Sequence, residues 1–461
     1  MNFASNSTAE YGLNNLNMQL VSHFGLRNIH LLIYAVFVLS SAQSQTFDPT
    51  LASDLQNTLD SLRTSENFMG ISSAVFLPGQ GMWTGVSGES EPGVAISSQM
   101  IFGIGSNTKT FTAAALLKLV GNQMLTLDDS LHQWLPSYNP NIDSTITVRQ
   151  LLNHTSGIAN TFDVPGFLDS LEQDRNRIFS TPEILSWLPA PLFAPGMGQS
   201  YSNPNYHLAG LLAESVSGQS LEQLMHDSLF NPIGMSHTYF PIYDTLPTSV
   251  AHPWHNGMDW NDTARTSLHT SQWSAGAMYS TAEEMALWHH ALMSGQLLEP
   301  NVFDEMTDFV GPDRRGLGIQ EFELNGRTVW GHGGASIGYR SSAVYDTSFH
   351  ASIIVLINQT PSSPMLVIQE LLSAIEEYLN VVGMNDLKEY KPTFYPNPSS
   401  NMLTIEADLH SYRRATIYDL NGQRVLSTTE STFSIAGLSP GPYVIQIKAG
   451  SEIHTRMLFK Q

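Results

Sequence analysis

The 461-residue sequence contains no cysteine. Disulfides and thiolate metal centres are thereby excluded, and stability has to come from packed apolar cores. Positive charge is also scarce: 20 Lys and Arg face 41 Asp and Glu, a formal net charge of −21, and only six of the 20 are lysines. Residues 392–461 hold six basic and five acidic residues, so the acidity belongs to the rest of the chain. Such a body repels polyanions, which argues against nucleic acid and anionic membranes as partners and fits an acidic solvated surface. Long apolar runs are missing too; the run at 31–39 is too short to span a bilayer, so no stable transmembrane segment is expected. That run reads instead as the core of an export signal. Arg27 precedes it, small residues (Ser40, Ser41, Ala42) follow, and cleavage falls near Gln45. Residues 1–44 are therefore expected to be a signal-peptide region, with Met18 the better initiator because the stretch before it is polar.

With lysine so rare, the position of one of them is informative. Lys109 follows Ser106 by three residues, the one place in the chain with that spacing, at the head of the nearly all-apolar stretch 110–120. On a helix these two side chains share a face. A lysine in a desolvated pocket loses its proton readily, so it can activate a serine hydroxyl without a histidine. Alternatively, Ser106 is a simple N-cap and Lys109 reaches solvent. A helix that is apolar on nearly every side is a core helix, which favours the first reading.

Two further short patterns follow in order. Tyr201-Ser202-Asn203 sits in a polar turn after Ala194-Pro195-Gly196, ahead of a helical run at 206–216. His332-Gly333-Gly334 ends a strand-like run at 327–330 and precedes another at 339–345. Each pattern has decoys: Tyr395-Pro396-Asn397 repeats the first, and His23-Phe24-Gly25 and His255-Asn256-Gly257 repeat His-x-Gly. Local context separates them. His252/His255 and His289/His290 lack a zincin helix pattern, so neither a metal nor any other cofactor is expected.

Ser106-x-x-Lys109, Tyr201-x-Asn203 and His332-Gly333-Gly334, in that order, resemble the active-site motifs of class C β-lactamases and the related D-alanyl-D-alanine carboxypeptidases and esterases. Intervening segments resemble the family as well: Leu151-Leu152-Asn153-His154-Thr155-Ser156-Gly157, then Phe193-Ala194-Pro195-Gly196, and the stretch 274–285. The resemblance covers residues 60 to 380. It implies an α/β fold, an antiparallel sheet flanked by helices plus an all-α lobe, with the site at their junction. It also implies roles. Ser106 would be acylated, Lys109 and Tyr201 would shuttle its proton to the leaving group, and Asn203 would hold Lys109 and the substrate amide. The backbone N–H groups of Ser106 and Ala335 would bind the oxyanion, and Gly333 and Gly334 would leave the strand edge open to substrate. The implied activity is hydrolysis of an amide or ester in the manner of a D-alanyl-D-alanine carboxypeptidase or esterase, on a small-molecule or peptide acyl donor that includes peptidoglycan fragments.

One residue departs from the lactamase pattern. Class C enzymes carry lysine where this chain has His332, which leaves β-lactamase activity as the alternative reading. If His332 binds a substrate carboxylate, it does so as a cation, and turnover of acid-bearing substrates is expected to fall as pH rises through its pKa. His154 is read as a loop-organising residue. A reading of another class, a non-catalytic binding or adhesion protein on the same fold, is disfavoured by the intact motif set.

The hydrolase domain is expected over 45–384, a polar linker over 385–391, and a small C-terminal β-sandwich over 392–461. Alternation marks strands at 403–405, 415–418, 443–447 and 457–459, with Asn421-Gly422 as a hairpin turn. Phe394-Tyr395-Pro396-Asn397-Pro398, 417–422 and 438–443 resemble the type A C-terminal sorting domain of the type IX secretion system. That resemblance implies secretion machinery as a partner, passage through the periplasm, and a secreted or cell-surface location. An ordinary accessory β-sandwich is the alternative.

Overall fold

The computed structural model describes residues 47–382, 393–395, 399–406, 412–420, 422–449 and 452–461. The expected signal region at 1–44 and the linker at 385–391 lie outside the described residues.

A seven-stranded antiparallel sheet organises residues 49–381. Helix α1 (Pro49–Ser65) leads into strands β1 (Gly70–Leu77), β2 (Gly81–Glu91) and β3 (Val94–Ala95). Helices then dominate up to residue 306. Those that build the site are α2 (Thr108–Gly121), α3 (Phe167–Gln173), α4 (Asn203–Ser217), α5 (Thr266–Gly276) and α6 (Ala282–Met293). The sheet resumes with β4 (Gln320–Leu324), β5 (Arg327–Ser336), β6 (Tyr339–Asp346) and β7 (Ser352–Ile357), and α7 (Pro364–Val381) closes this part. The strand order is β3-β2-β1-β7-β6-β5-β4, with first and last segments meeting where β1 pairs with β7.

Two-residue periodicity divides this sheet between two cores. On β7, Ile353, Val355 and Ile357 pack with Leu51, Leu55 and Leu59 of α1 and with Ile368, Leu372 and Ile375 of α7. Ile354 and Leu356 face the opposite core, with Phe111 and Leu116 of α2 and Trp288 of α6. The predicted apolar helix is therefore buried almost all round, from Thr108 through Leu117. It begins two residues earlier than the apolar pattern indicates.

Strand β5 differs more from expectation. Its hydrophobic signal stops at Trp330, yet the strand runs on to Ser336 because β6 pairs with it throughout, Ala343 opposite His332 and Arg340 opposite Ala335. β4 pairs with β5 only from Arg327 to Gly331. Beyond that point the outer edge of β5 has no sheet partner among the described residues, and the His332-Gly333-Gly334 motif lies there.

Residues 393–460 add two antiparallel sheets. β8 (Thr393–Tyr395), β9 (Met402–Glu406) and β12 (Thr432–Ser434) form one, in the order β8-β9-β12. β10 (Tyr412–Tyr418), β11 (Arg424–Thr428), β13 (Gly441–Ala449) and β14 (Glu452–Lys460) form the other, in the order β11-β10-β13-β14. Leu403, Ile405, Ile417, Ile445, Ile447 and Leu458 share one core. The short strands β8, β11 and β12 escaped the alternation pattern.

A buried ion pair fixes the start of β5. Arg327 Nε and Nη2 reach Asp346 Oδ2 and Oδ1 at 2.5 and 3.2 Å, and the carboxylate is fully buried. The backbone N–H groups of Ser348 and Phe349 donate to the same Oδ1, and the guanidinium lies 3.5 Å over the Phe349 ring. Removing one partner strands the other charge. Arg327→Met is expected to cost about 3–5 kcal/mol in urea unfolding, and a loss below about 1 kcal/mol would show that the two backbone donors alone suffice for Asp346.

Candidate active site

Ser106 lies in a single 3₁₀ turn, Gly105–Asn107, that leads into α2. Gly105 has φ +52°, and a Cβ there would stand 2.5 Å from the backbone N of Ala335. Only glycine allows this turn to approach β5 so closely. The turn is tied down on both sides: Asn107 Nδ2 donates to Ser341 Oγ at 2.8 Å, Ser341 Oγ donates to Ile104 O at 2.7 Å, and Met278 N donates to Thr108 Oγ1 at 3.2 Å. Gly334 permits a matching approach, since a Cβ there would meet Ile104 O at 2.0 Å. At Gly333 the nearest atom is 3.9 Å away, so that side of the strand is open.

Two of the residues expected at the site converge on the Ser106 hydroxyl. Lys109 Nζ lies 3.1 Å from Ser106 Oγ, and Tyr201 OH donates to the same oxygen at 2.8 Å. Lys109 is fully buried and also contacts Asn203 Oδ1 at 2.8 Å and the carbonyl of Ala275 at 2.5 Å. Burial, followed by the nearby Arg315 cation, pushes its pKa well below the ordinary lysine value. In the neutral amine two N–H bonds and one lone pair remain. Asn203 Oδ1 and Ala275 O can only accept, so they take the two N–H bonds. Ser106 is the one neighbour able to donate to the lone pair. Tyr201 behaves oppositely: burial pushes its phenol up to about 12, against lowering by Ser106 and Arg315, so it stays protonated at neutral pH.

The geometry of this cluster has a support layer that the motifs did not reveal. Asn160 Oδ1 accepts from Asn203 N and Nδ2 at 3.3 and 3.1 Å. His154, with φ +63°, packs its ring 4.5 Å from that of Tyr201, and its Nδ1 accepts from Ser202 N at 3.1 Å. Burial, then Arg315 and Lys109, hold this imidazole well below its usual pKa, consistent with an uncharged loop-organising residue. Arg315 is the other residue that sequence reasoning missed. Its guanidinium lies 5.1 Å over the Tyr201 ring, and its Nε is buried without a hydrogen-bond partner, with Asp313 Oδ2 at 3.5 Å. Nothing in the sequence separates it from Arg314 beside it, which is held by Glu321 at the surface.

His332 stands with its ring 6.2 Å from that of Tyr201 and its Nδ1 2.6 Å from Gly333 O. Desolvation, the first cause, lowers its pKa to about 3. The Gly333 carbonyl can only accept, so Nδ1 is the ring nitrogen that donates to it. Desolvation thus works against the His332 cation that a pH-dependent carboxylate contact would need. The permanent cation here is Arg315. Among the described residues, Glu222, His226 and Asp244 form the one group with metal-ligand spacing, and His226 Nε2 sits 3.8 Å from each carboxylate, as in an ordinary ion pair.

The Beta-lactamase family profile matches residues 55–374, and the Secretion system C-terminal sorting domain profile matches 393–461. Protein flp of Staphylococcus aureus (strain NCTC 8325 / PS 47) is 35% identical over 140 residues, covering 30% of this chain and 27% of that protein. The chain thus spans about a quarter of that relative's length. A Beta-lactamase of Pseudomonas fluorescens is 30% identical over 200 residues, 42% of this chain and 53% of its own. Among solved structures, a D-stereospecific amidohydrolase from Streptomyces sp. superposes with a TM-score of 0.62 at 28% identity, covering 70% of this chain and 98% of that one. More than half of the sequence falls within the first profile, and the chain belongs to the Beta-lactamase family and carries a secretion-system sorting domain.

Proposed function

We propose that the protein hydrolyses an amide or ester through an acyl-enzyme on Ser106, with a D-alanyl-D-alanine-type peptide or a related carboxylic ester as acyl donor. The meeting of Lys109 Nζ and Tyr201 OH at Ser106 Oγ carries this reading. Neutral Lys109 takes the hydroxyl proton as Ser106 attacks; Tyr201 gives its phenolic proton to the leaving group and regains one from the Lys109 ammonium, so both residues return to their starting states. Such acid–base assistance is worth about 10²–10⁴-fold. Asn203 holds Lys109 and a substrate amide, and the Ser106 and Ala335 N–H groups bind the oxyanion, each such donor worth about 10²–10³-fold. His332 and the two glycines line the open edge on which the substrate lies.

Arg315 favours a carboxylate-bearing leaving group, because its guanidinium lies 5.1 Å over the ring of Tyr201, where the leaving group must collect its proton. The Streptomyces relative, named for amide hydrolysis with D-stereospecificity, supports the amide class. The Pseudomonas relative keeps β-lactams as the second reading. The sorting domain marks the chain for secretion or the cell surface, and the type IX route is the proposed one.

Mixing the intact protein with a fluorophosphonate, a fluorescent penicillin and a D-Ala-D-Ala peptide, with mass spectrometry as readout, tests the nucleophile. Wild type is expected to gain the acyl or phosphonyl mass on Ser106, and Ser106→Ala to gain none and lose turnover. Labelling of the alanine variant would end the assignment.

The pH dependence follows from the Lys109 shift. Its free amine exists above the lowered pKa, so kcat/KM rises as pH climbs through that value. Arg315→Ala removes a repelling charge, raises the Lys109 pKa and moves the acid limb to higher pH; Arg315→Lys is expected to leave it in place. Arg315→Ala should also cost an acid-bearing substrate about 10- to 100-fold relative to a matched neutral ester. In wild type the two profiles are expected to run parallel, since neither Arg315 nor His332 changes charge near neutrality. Diverging profiles would return the carboxylate to a titrating histidine.

Deleting residues 392–461 is expected to leave the purified enzyme active and the protein retained in the periplasm of its native host, followed by fractionation and blotting. Normal appearance of the truncated chain outside the cell would refute the sorting role.

A further inference from the structure

Helix α5 breaks one turn before its end. Trp273 there has φ 31° and ψ −123°, non-helical values inside the helix and a region that a bulky side chain enters only at a cost. The break redirects two carbonyls. In an unbroken helix the oxygens of Ser274 and Ala275 would accept from the N–H groups of Met278 and Tyr279. Instead Met278 N donates to Thr108 Oγ1 at 3.2 Å and Tyr279 N to the carbonyl of Tyr239 at 2.9 Å. The freed oxygens meet α2, where Ser274 O accepts from Thr112 Oγ1 at 2.7 Å and Ala275 O from Lys109 Nζ at 2.5 Å. Lys109 and Thr112 are one turn apart on that helix and so share a face.

What holds this costly turn is the indole. Trp273 is buried, its Nε1 donates to Tyr243 OH at 3.2 Å, and its ring lies 15° from parallel to that of His207, centroids 6.4 Å apart. His207 stands one turn beyond Asn203 on α4, so the ring beside Trp273 and the amide that holds Lys109 come from one helix face. α4 makes room at Gly210, where a Cβ would stand 2.9 Å from the indole Cη2 and 2.7 Å from Ser274 Oγ. Ser274 Oγ in turn donates to the carbonyl of Tyr206 at 2.8 Å. We propose that Trp273 is a positioning residue for Lys109: its positive-φ turn aims the Ala275 carbonyl at Nζ, and its buried indole keeps that turn from relaxing. The proposal rests on the Ser106 acyl-enzyme reading above. With Ala275 O and Asn203 Oδ1 taking both N–H bonds of the neutral amine, its lone pair is left for the Ser106 hydroxyl. Without the turn the first of those acceptors swings away, and the lone pair loses its direction.

Glycine adopts positive φ freely and alanine does not, whereas at a site that only packs, alanine is the milder replacement because glycine loses more chain entropy on folding. The order of the two variants therefore separates positioning from packing. The test follows the rate at which a fluorophosphonate labels Ser106 in the full chain, read by intact mass, alongside thermal unfolding of the same samples. Trp273→Ala is expected to slow labelling about 100-fold, the loss that a displacement of about 1 Å brings, and Trp273→Gly to label at least about tenfold faster than Trp273→Ala. Should the alanine variant be too unstable to assay, the glycine variant is still expected to fold and take the label. An alanine variant that labels at the wild-type rate, or a glycine variant that labels no faster than alanine or does not fold, would overturn the positioning role while leaving Ser106 in place. Wild type that takes no label would overturn the nucleophile and the positioning role with it.

Discussion

One desolvated amine organises this protein. Lys109 Nζ is sealed from water and held by Ser106, Asn203 and the Ala275 carbonyl. An isolated buried ammonium is costly, and the neutral form is what the surroundings stabilise. Every element nearby serves that condition. α2 is apolar nearly all round, so no water reaches the amine along its own helix. α4 supplies Asn203 at its first residue, and α5 supplies the carbonyl near its end. Arg315, a like charge brought in by a separate loop, pushes the same equilibrium further toward the free base.

The protein brings the catalytic turn and the third motif together by deleting side chains rather than by adding contacts. Gly105 and Gly334 each sit where a single Cβ would overlap backbone, one against Ala335 and the other against Ile104. Backbone therefore packs on backbone between α2 and β5. Polar side chains lock the arrangement, with Ser341 bridging Asn107 and the Ile104 carbonyl. The buried Arg327 and Asp346 pair fixes the other end of the same strand.

How much of this was legible in the sequence depended on distance along the chain. Ser106 and Lys109 were readable because helix geometry relates positions three apart, and Tyr201, Asn203 and His332 because their motifs follow in a fixed order. The two cores of the sheet could not be told apart in the sequence, because 353–357 is apolar at every position and both faces of β7 are buried. Asn160 and Arg315 were not legible, because each acts through neighbours more than 40 positions away that only the folded chain brings close. The end of β5 was misjudged for a related reason. Glycines 331, 333 and 334 carry no strand propensity, and pairing with β6 supplies what they lack.

Beyond Gly331 the outer edge of β5, unpaired among the described residues, has two unlike faces. A chain laid in extended form against it would turn successive side chains to alternate faces. Those faces differ here: at Gly334 the space is closed by the Ile104 carbonyl, and at Gly333 it is open.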